Sequence, residues 1–599
     1  MSSEAKYVVG IDLGTTHCVV AYAPIMAEGE KPNIRIFEIL QITAPNEMRS
    51  LSLLPSFLYL LGKGDVDPSS VRLPWQESVF ALVGSFARKR GSEVPHRLVA
   101  SAKSWLCHSG VDRTKPILPW NSPDEVQKVS PVEASSMFLG HVRDAWNHTI
   151  AANDPEARLE NQDILITVPA SFDAVARELT VQAARLAGFE HFTLLEEPQA
   201  AFYAWIEANE DNWRNLVKLG DSILVCDVGG GTTDFSLIEV SEEDGTLALK
   251  RVAVGEHILL GGDNMDLALA YTLRHKISAR LDDWQFRALW YRVRSAKERL
   301  LSDPDLQKEP VVILGRGTSL IGGTIKTELT RREVEEILVD GFFPMCDLSD
   351  RPKRTSRVGM REMGLPYEED PAITRHLAHF VSRHLERLPS FPSAVLFNGG
   401  VMKAEQFRGR IIDLLRSWGG EGEVRELSFA DLDLAVARGA TYYGFARRGR
   451  GVRIRAGASR SYYIGVESAM PTVPGVPTPM KALCVVPFGM EEGTTEEIKE
   501  REFGLVVGEP AVFHLLSSTI RQDDRAGEVV EDWEGTIEPV GTMETELPAT
   551  EEEAGGTVVP VWLESAMTEI GTLELRCVDV INPERKWKLE FNLKEREAK

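Results

Sequence analysis

Two acidic–glycine–threonine segments carry the chemistry of this sequence. One is Asp12-Leu13-Gly14-Thr15-Thr16; the other is Asp227-Val228-Gly229-Gly230-Gly231-Thr232-Thr233-Asp234. Tyr7–Ile11 and Cys18–Ala21 flank the first, Ile223–Cys226 and Phe235–Val240 the second, and all four runs are apolar and β-rich. The pattern predicts strand, tight turn, strand, twice over. Glycine permits close backbone approach and positive φ, and consecutive turn amides form an anion-binding concavity. An aspartate beside each turn suits Mg2+ held through its waters, because that ion keeps several waters and favours carboxylate oxygen. One such turn alone reads as an ordinary hairpin. Two with the same order of residue types imply a duplicated domain gripping one nucleotide from both sides.

The rest of the chain must position these turns. At 599 residues it is long enough for several domains with real cores. A net charge of −23 argues against general nucleic-acid binding. Six cysteines, Cys18, Cys107, Cys226, Cys346, Cys484 and Cys577, are scattered without metal spacing, so reduced thiols are expected. The opening Met-Ser-Ser-Glu-Ala-Lys has no apolar signal core, and no run is apolar enough to span a bilayer. A cytoplasmic location without a membrane partner is the expectation.

Residues 1–446 alternate β-rich and helical stretches, as an α/β domain does. Ile164–Val168 and Ala394–Phe397 read as strands; Ala174–Gly188, Asp283–Leu301, Arg331–Gly341 and Thr374–Leu388 read as helices. Residues 461–599 lose helical periodicity and show short alternating runs between Pro, Gly and acidic turns, the pattern of a β-sandwich. Examples are Ser461–Val466, Ala482–Pro487, Ala511–Leu516, Val558–Leu563, Thr572–Val578 and Trp587–Leu593. Between the halves, residues 447–460 form an arginine- and glycine-rich linker. Two readings of its basic run stand, an RNA contact and a linker lying on acidic protein surface; the net negative charge favours the second.

Val9-Gly-Ile-Asp-Leu-Gly-Thr-Thr16, Ile166-Thr-Val-Pro-Ala-Ser-Phe172, Glu197-Pro-Gln-Ala-Ala201, Asp227–Asp234 and Leu396-Phe-Asn-Gly-Gly400 occur in one fixed order. Together they resemble the motifs of the 70-kDa heat-shock chaperones (the DnaK type) within the actin and sugar-kinase superfamily. The resemblance implies an actin-like, two-lobed α/β ATPase domain followed by an all-β sandwich substrate domain. It also implies ATP or ADP with Mg2+ as ligands and slow ATP hydrolysis. Extended client polypeptide, a J-domain co-chaperone and an exchange factor are the implied partners. By the same resemblance Asp12, Asp227 and Asp234 match the acidic residues around Mg2+ and the attacking water, with Asp12 and Asp227 reaching the metal through water. Lys103 matches a catalytic lysine near the γ-phosphate, and Glu197 a glutamate that helps hold metal and water. Gly14, Thr15, Thr16, Gly229, Gly230, Gly231 and Thr232 match the phosphate loops. Gly261, Gly262, Lys297, Gly399, Gly400, Lys403 and Asp433 match the nucleoside side. Pro169 and Arg177 match a pair that relays nucleotide state to the substrate domain. Phe503 and Val512 are the candidates for a peptide groove.

The sequence departs from that pattern in several places. Lys403 stands where arginine is frequent, and Arg294 where glutamate is usual, so weaker or rearranged adenine contacts are expected. The linker keeps only Val452 and Ile454 of an apolar strand, which puts interdomain coupling in question. The last strands lead directly to Lys599, so a lidless member with fast peptide release is expected. The extra stretch Cys346 to Ile373 reads as a solvated loop ahead of a partner site. His376, His379 and His384 read as ordinary helix-face histidines. Competing functions are a nucleotide-sensing, exchange-factor-like relative with little hydrolysis, a small-molecule kinase, and a filament protein.

Overall fold

The computed structural model describes residues 5–25, 32–108, 110–209, 212–243, 246–315, 324–353, 364–420, 423–428, 431–449, 457–467, 478–491, 493–506, 510–546, 557–568 and 570–591. The chain divides into two compact units. The first takes Met1–His108, Lys115–Pro169 and Gln182–Ile454; the second takes Ser109–Thr114, Ala170–Val181 and Arg455–Lys599.

The first unit is built on two sheets of the same design. In one lobe, β1 (Tyr7–Leu13), β2 (His17–Pro24), β3 (Arg35–Ile36), β4 (Asp163–Val168) and β5 (Phe192–Glu196) lie in the order β3-β2-β1-β4-β5. In the other, β6 (Ser222–Val228), β7 (Thr233–Glu243), β8 (Thr246–Val254), β9 (Ala394–Asn398) and β10 (Arg425–Leu427) lie in the order β8-β7-β6-β9-β10. Each central strand pairs antiparallel with its hairpin partner on one side and parallel with a later strand on the other. The central strands read as unbroken apolar runs because both faces are covered. The duplication expected from the two glycine–threonine segments is therefore a duplication of whole sheets.

A first helix, α1 (Ala174–Leu186), begins among the residues of the second unit; the lobes are completed by α2 (Glu197–Asn209), α3 (Gly262–Lys276), α4 (Asp283–Ser302), α5 (Glu405–Gly419) and α6 (Ala435–Ala446). The helices that follow the last strand of each sheet, α2 and α6, meet at the middle of the unit. There Tyr203 and Tyr443 pack ring to ring at 5.2 Å. Their closeness depends on Gly439, where a Cβ would stand 1.7 Å from the Ala200 carbonyl oxygen. One apolar core runs through this junction, from Val8 and Leu165 of the first sheet to Ile223 and Leu396 of the second. The helix expected over Arg331–Gly341 is continuous but widens to π geometry over Glu335–Val339. Thr330 starts it with a capping box to Glu333.

In the second unit nine strands follow one another in space: β11 (Ser461–Glu467), β12 (Met480–Val486), β13 (Thr495–Val506), β14 (Pro510–Ser518), β15 (Val529–Val530), β16 (Glu538–Glu546), β17 (Val558–Met567), β18 (Leu573–Asp579) and β19 (Lys586–Phe591). Their order is β13-β17-β18-β19-β16-β14-β11-β12-β15. Among the described residues, the strand ladder that joins β13, β17, β18 and β19 to the other five strands is the short one of Met543 and Glu544 against Phe591 and Glu590. The path curls there, so that Ser565 on β17 donates to the Val485 carbonyl on β12 at 2.5 Å. Two layers result, as in a sandwich. Edge strand β13 carries a bulge that takes Lys499–Glu502 out of the ladder, a charged interruption that discourages edge-to-edge pairing.

Candidate active site

The two hairpin turns face each other across the cleft between the lobes. Asp12 sits opposite Val19 in its hairpin, and Asp227 opposite Asp234 in the other. The turns are nearly in contact: a Cβ on Gly230 would stand 2.1 Å from Thr16 Cγ2, and one on Gly231 would stand 2.6 Å from Ser104 Oγ. Side chains there would block the close approach that a phosphate chain requires. Gly399, at φ +84°, brings the end of β9 against the Val228 carbonyl.

The acidic groups are buried and held. Thr167, at the end of β4, donates to Asp12 Oδ1 at 3.0 Å, and Asn398, at the end of β9, donates to Asp227 Oδ2 at 2.6 Å. These are matching positions of the duplicated sheets. Burial first, then the neighbouring Glu197, lifts the Asp12 carboxyl to about 7, with Lys103 and Thr167 pulling the other way. Burial, with Glu197 and Asp234, raises Asp227 well above the ordinary carboxylate range. Glu197 opens α2, and its carboxylate is ion-paired with Lys103. Lys103, 6% exposed, is no surface lysine. Burial disfavours its charge, but Glu197 and Asp12 outweigh that and raise its pKa.

Four carboxylates thus share one cleft with one ammonium. The surplus negative charge and the all-oxygen donor set suit a hard divalent cation. Among the described residues no three His, Cys, Asp or Glu side chains converge to hold a metal ion directly. Mg2+ held through waters needs no such convergence.

Next to the turns lies a cavity of about 700 Å³ lined by Thr16, Gly230, Gly262, Lys297, Gly400, Lys403 and Asp433, among others. Of the residues expected on the nucleoside side, Gly262, Lys297, Gly400, Lys403 and Asp433 line it, and Gly261 and Gly399 do not. Gly262 and Asp263, opening α3, donate their amides to the carbonyls of Gly229 and Gly230 at 3.1 and 2.7 Å. Lys297 pairs with Asp266 at 2.6 Å, Arg294 with Asp266 at 2.6 Å and with Asp263, and Lys403 with Asp433. The two basic departures from the family pattern, Arg294 and Lys403, are therefore both engaged in ion pairs at the cavity wall. Sequence reasoning missed the roles of Thr167, Asn398 and Asp266, and read Asp263 only as part of a loop near the ribose. Thr167 and Asn398 lie within quoted motifs, and their position at strand ends beside an aspartate was the available signal.

The remaining candidates lie elsewhere. Pro169 directly follows β4 in the first unit. Arg177, on α1 among the residues of the second unit, is buried, and its Nε donates to the Phe172 carbonyl at 3.3 Å. In that unit Ser459 and Arg460 donate to the carbonyls of Ala170 and Ser171 at 3.1 and 2.8 Å. Phe503 lies half-buried on β13 opposite Val561, and Val512 is exposed on β14. The sheet path separates these strands, so no ladder joins the two residues. At the root of the linker Arg447 and Arg448 grip Asp163; Arg447 also donates to Thr193 Oγ1 at 2.7 Å. Val452 and Ile454 lie outside the described residues, as does 354–363 of the extra stretch. What is described of that stretch is anchored: Asp370 accepts from the Lys353 and Ala372 amides and from Arg375, which together overcome burial and hold it at about 2. Among the described residues no helix is long and apolar enough to cross a membrane.

Residues 80–346 match the family model described as Hsp70 protein. The chain is similar to the chaperone protein HscA homolog of Acidithiobacillus ferrooxidans, 31% identical over 389 residues, covering 61% of this chain and 51% of that protein. It is also similar to the HscA homolog of Pseudomonas putida, 28% identical over 382 residues, covering 62% and 51%. With the chaperone protein HscA of Xenorhabdus nematophila it is 27% identical over 315 residues, covering 50% and 43%. The chain spans about half the length of these curated relatives.

Proposed function

We propose that this chain, which matches the Hsp70 family model over residues 80–346, is an Hsp70-type protein that binds ATP with Mg2+, hydrolyses it slowly, and engages extended segments of client proteins. The observation that carries the reading is the pair of matched hairpins with Asp12, Lys103, Asp227 and Asp234 buried between them and Glu197, half-buried, paired with Lys103. Phosphoryl transfer to water asks a protein mainly for positioning and charge stabilisation, and this constellation is suited to both.

In the proposed reaction the amides of Gly14–Thr16 and Gly230–Thr232 cradle the phosphates, while the Gly229 amide closes the turn on the Thr232 carbonyl at 2.9 Å. Asp12 and Asp227 orient the waters of Mg2+, which when bound would neutralise charge on the phosphate oxygens. Lys103 faces the terminal phosphate, and Glu197 fixes its ammonium while helping to orient the attacking water. Thr167 and Asn398 hold the two aspartates in place. Lys297, Gly399, Gly400 and the Lys403–Asp433 pair border the nucleoside. The second unit supplies the surface for extended polypeptide, with Phe503 and Val512 as candidates, and Pro169 and Arg177 transmit nucleotide state. A J-domain partner and an exchange factor fit this cycle. The domain plan proposed is 1–446 for ATP, 447–460 as linker and 461–599 for peptide.

The test is ATP turnover by the purified chain with and without an extended hydrophobic peptide, beside Asp227→Ala. Slow hydrolysis that peptide accelerates and Asp227→Ala abolishes is expected. Hydrolysis indifferent to any such peptide would remove the client-binding part. Tight ATP binding without hydrolysis would favour a nucleotide-sensing protein.

A further inference from the structure

Ser101 is one of three non-glycine residues with positive φ among the described residues, at +54°. It immediately precedes the short helical turn Ala102–Trp105 that carries Lys103, and its carbonyl accepts the amide of Ser104 at 3.0 Å. A serine in the left-handed region is held there only when its surroundings over-determine it. Here the surroundings are on the opposite lobe. Ser101 Oγ donates to Asp263 Oδ2 at 2.7 Å. The other carboxylate oxygen of Asp263 takes the Arg294 guanidinium, whose Nε is fixed in turn by Asp266 at 2.6 Å. Asp263 and Asp266 are buried. The backbone amide of Asp263 also donates to the Gly230 carbonyl in the second phosphate loop.

One residue thus touches three parts of the site. Asp263 ties the phosphate loop through its amide, the Lys103 turn through Ser101, and the nucleoside helix α4 through Arg294. We infer that Ser101, Asp263 and Arg294 form a positioning relay that sets Lys103 against the terminal phosphate when the two lobes are closed. This rests on the proposed ATPase reading and adds to it a tether between cleft closure and the lysine. Arg294 is integral: a glutamate at this position would face Asp263 and Asp266 with like charge and release the tether. None of the three residues touches the reacting atoms in this scheme; each acts through the placement of Lys103.

Steady-state and single-turnover ATP hydrolysis, with ATP affinity measured separately, distinguish this from a structural role. The variants are Ser101→Ala, Ser101→Gly and Ser101→Thr, each checked by thermal melting. Glycine accepts the positive φ without a hydroxyl, so it separates the hydrogen bond from backbone strain. The single-turnover rate is expected to fall roughly tenfold in both Ser101→Ala and Ser101→Gly, as one lost charge-assisted bond allows. ATP affinity is expected to stay within about twofold, a loss confined to the turnover step. Ser101→Thr is expected to recover most of the rate. Hydrolysis at the wild-type rate in Ser101→Ala and Ser101→Gly would overturn the relay. So would a loss of ATP affinity with the rate unchanged. A wild-type chain that binds ATP and never hydrolyses it would overturn the ATPase reading itself, a result distinct from either.

Discussion

Replacing Lys103 by methionine keeps the length of the side chain and deletes the one positive group among the cleft carboxylates. Lys103 is 6% exposed and paired with Glu197, so its loss leaves a buried negative cluster uncompensated. Breaking a buried pair in this way costs about 3–5 kcal/mol. The cost must depend on pH, and its sign follows from Asp12. That carboxyl stands at about 7 in the folded chain against an ordinary 3.8, and Lys103 is among the groups that hold it down. A folded-state pKa above the unfolded one means that the folded chain binds the extra proton, so stability falls as pH rises between the two values. Removing Lys103 pushes the folded value higher still and extends the loss to higher pH. Urea unfolding of the nucleotide-free chain at pH 5, 6, 7 and 8 reads this directly. The deficit of Lys103→Met against wild type should be smallest at pH 5, where Asp12 is protonated in both, and grow to about 3–5 kcal/mol at pH 8. A deficit that is the same at every pH, or none at all, would refute the assignment of Lys103 as the counter-charge of a buried acidic cluster.

Binding of Mg2+ with ADP at pH 6.5 should release on the order of one proton, because a divalent cation favours the ionised form of Asp12. Titration calorimetry in two buffers of different ionisation enthalpy measures it, and Asp12→Asn should reduce it; heats identical in both buffers would contradict the shift. Gly439→Ala places a Cβ 1.7 Å from the Ala200 carbonyl oxygen at the α2–α6 crossing. It should destabilise the first unit by about 3 kcal/mol or more, since overpacking against backbone has no flexible side chain to yield. An unchanged melting temperature would argue against that crossing. Arg294→Glu should lower the single-turnover rate as Ser101→Ala does, with the double variant no worse than the more severe single one; additive losses would mean that the two residues act separately.

Much of this was legible in the residues because the informative pattern is local. A buried central strand, a glycine turn and a return strand fit in about twenty residues, and Asp12 and Asp227 lie within that span, so type and spacing locate them. The equality of the two sheets followed from the repeat. Partners set by three-dimensional proximity were not legible. Ser101 and Asp263 are 162 positions apart, and nothing in Ala100-Ser-Ala-Lys103 announces a bond to the other lobe. Asn398 was quoted within a motif, yet its role depends on β9 running parallel beside β6. In the second unit the apolar alternating strands are legible, but β13, β15 and β16 are not. The exposed, glutamate-rich Thr-Glu-Glu-Ile-Lys-Glu-Arg-Glu of β13 lacks the alternation that a half-buried strand shows, and β15 is only two residues long. The widening at Glu335–Val339 likewise leaves no mark on helical periodicity, which a single π turn shifts by only one residue.

The most direct measurement is phosphate release from Mg2+-ATP under single-turnover conditions, wild type beside Asp227→Ala. Slow release by the wild-type chain, abolished in the variant while both remain folded, is the result expected of this cleft. Release that persists unchanged in Asp227→Ala, or ATP bound tightly by the wild type without any release, would contradict it.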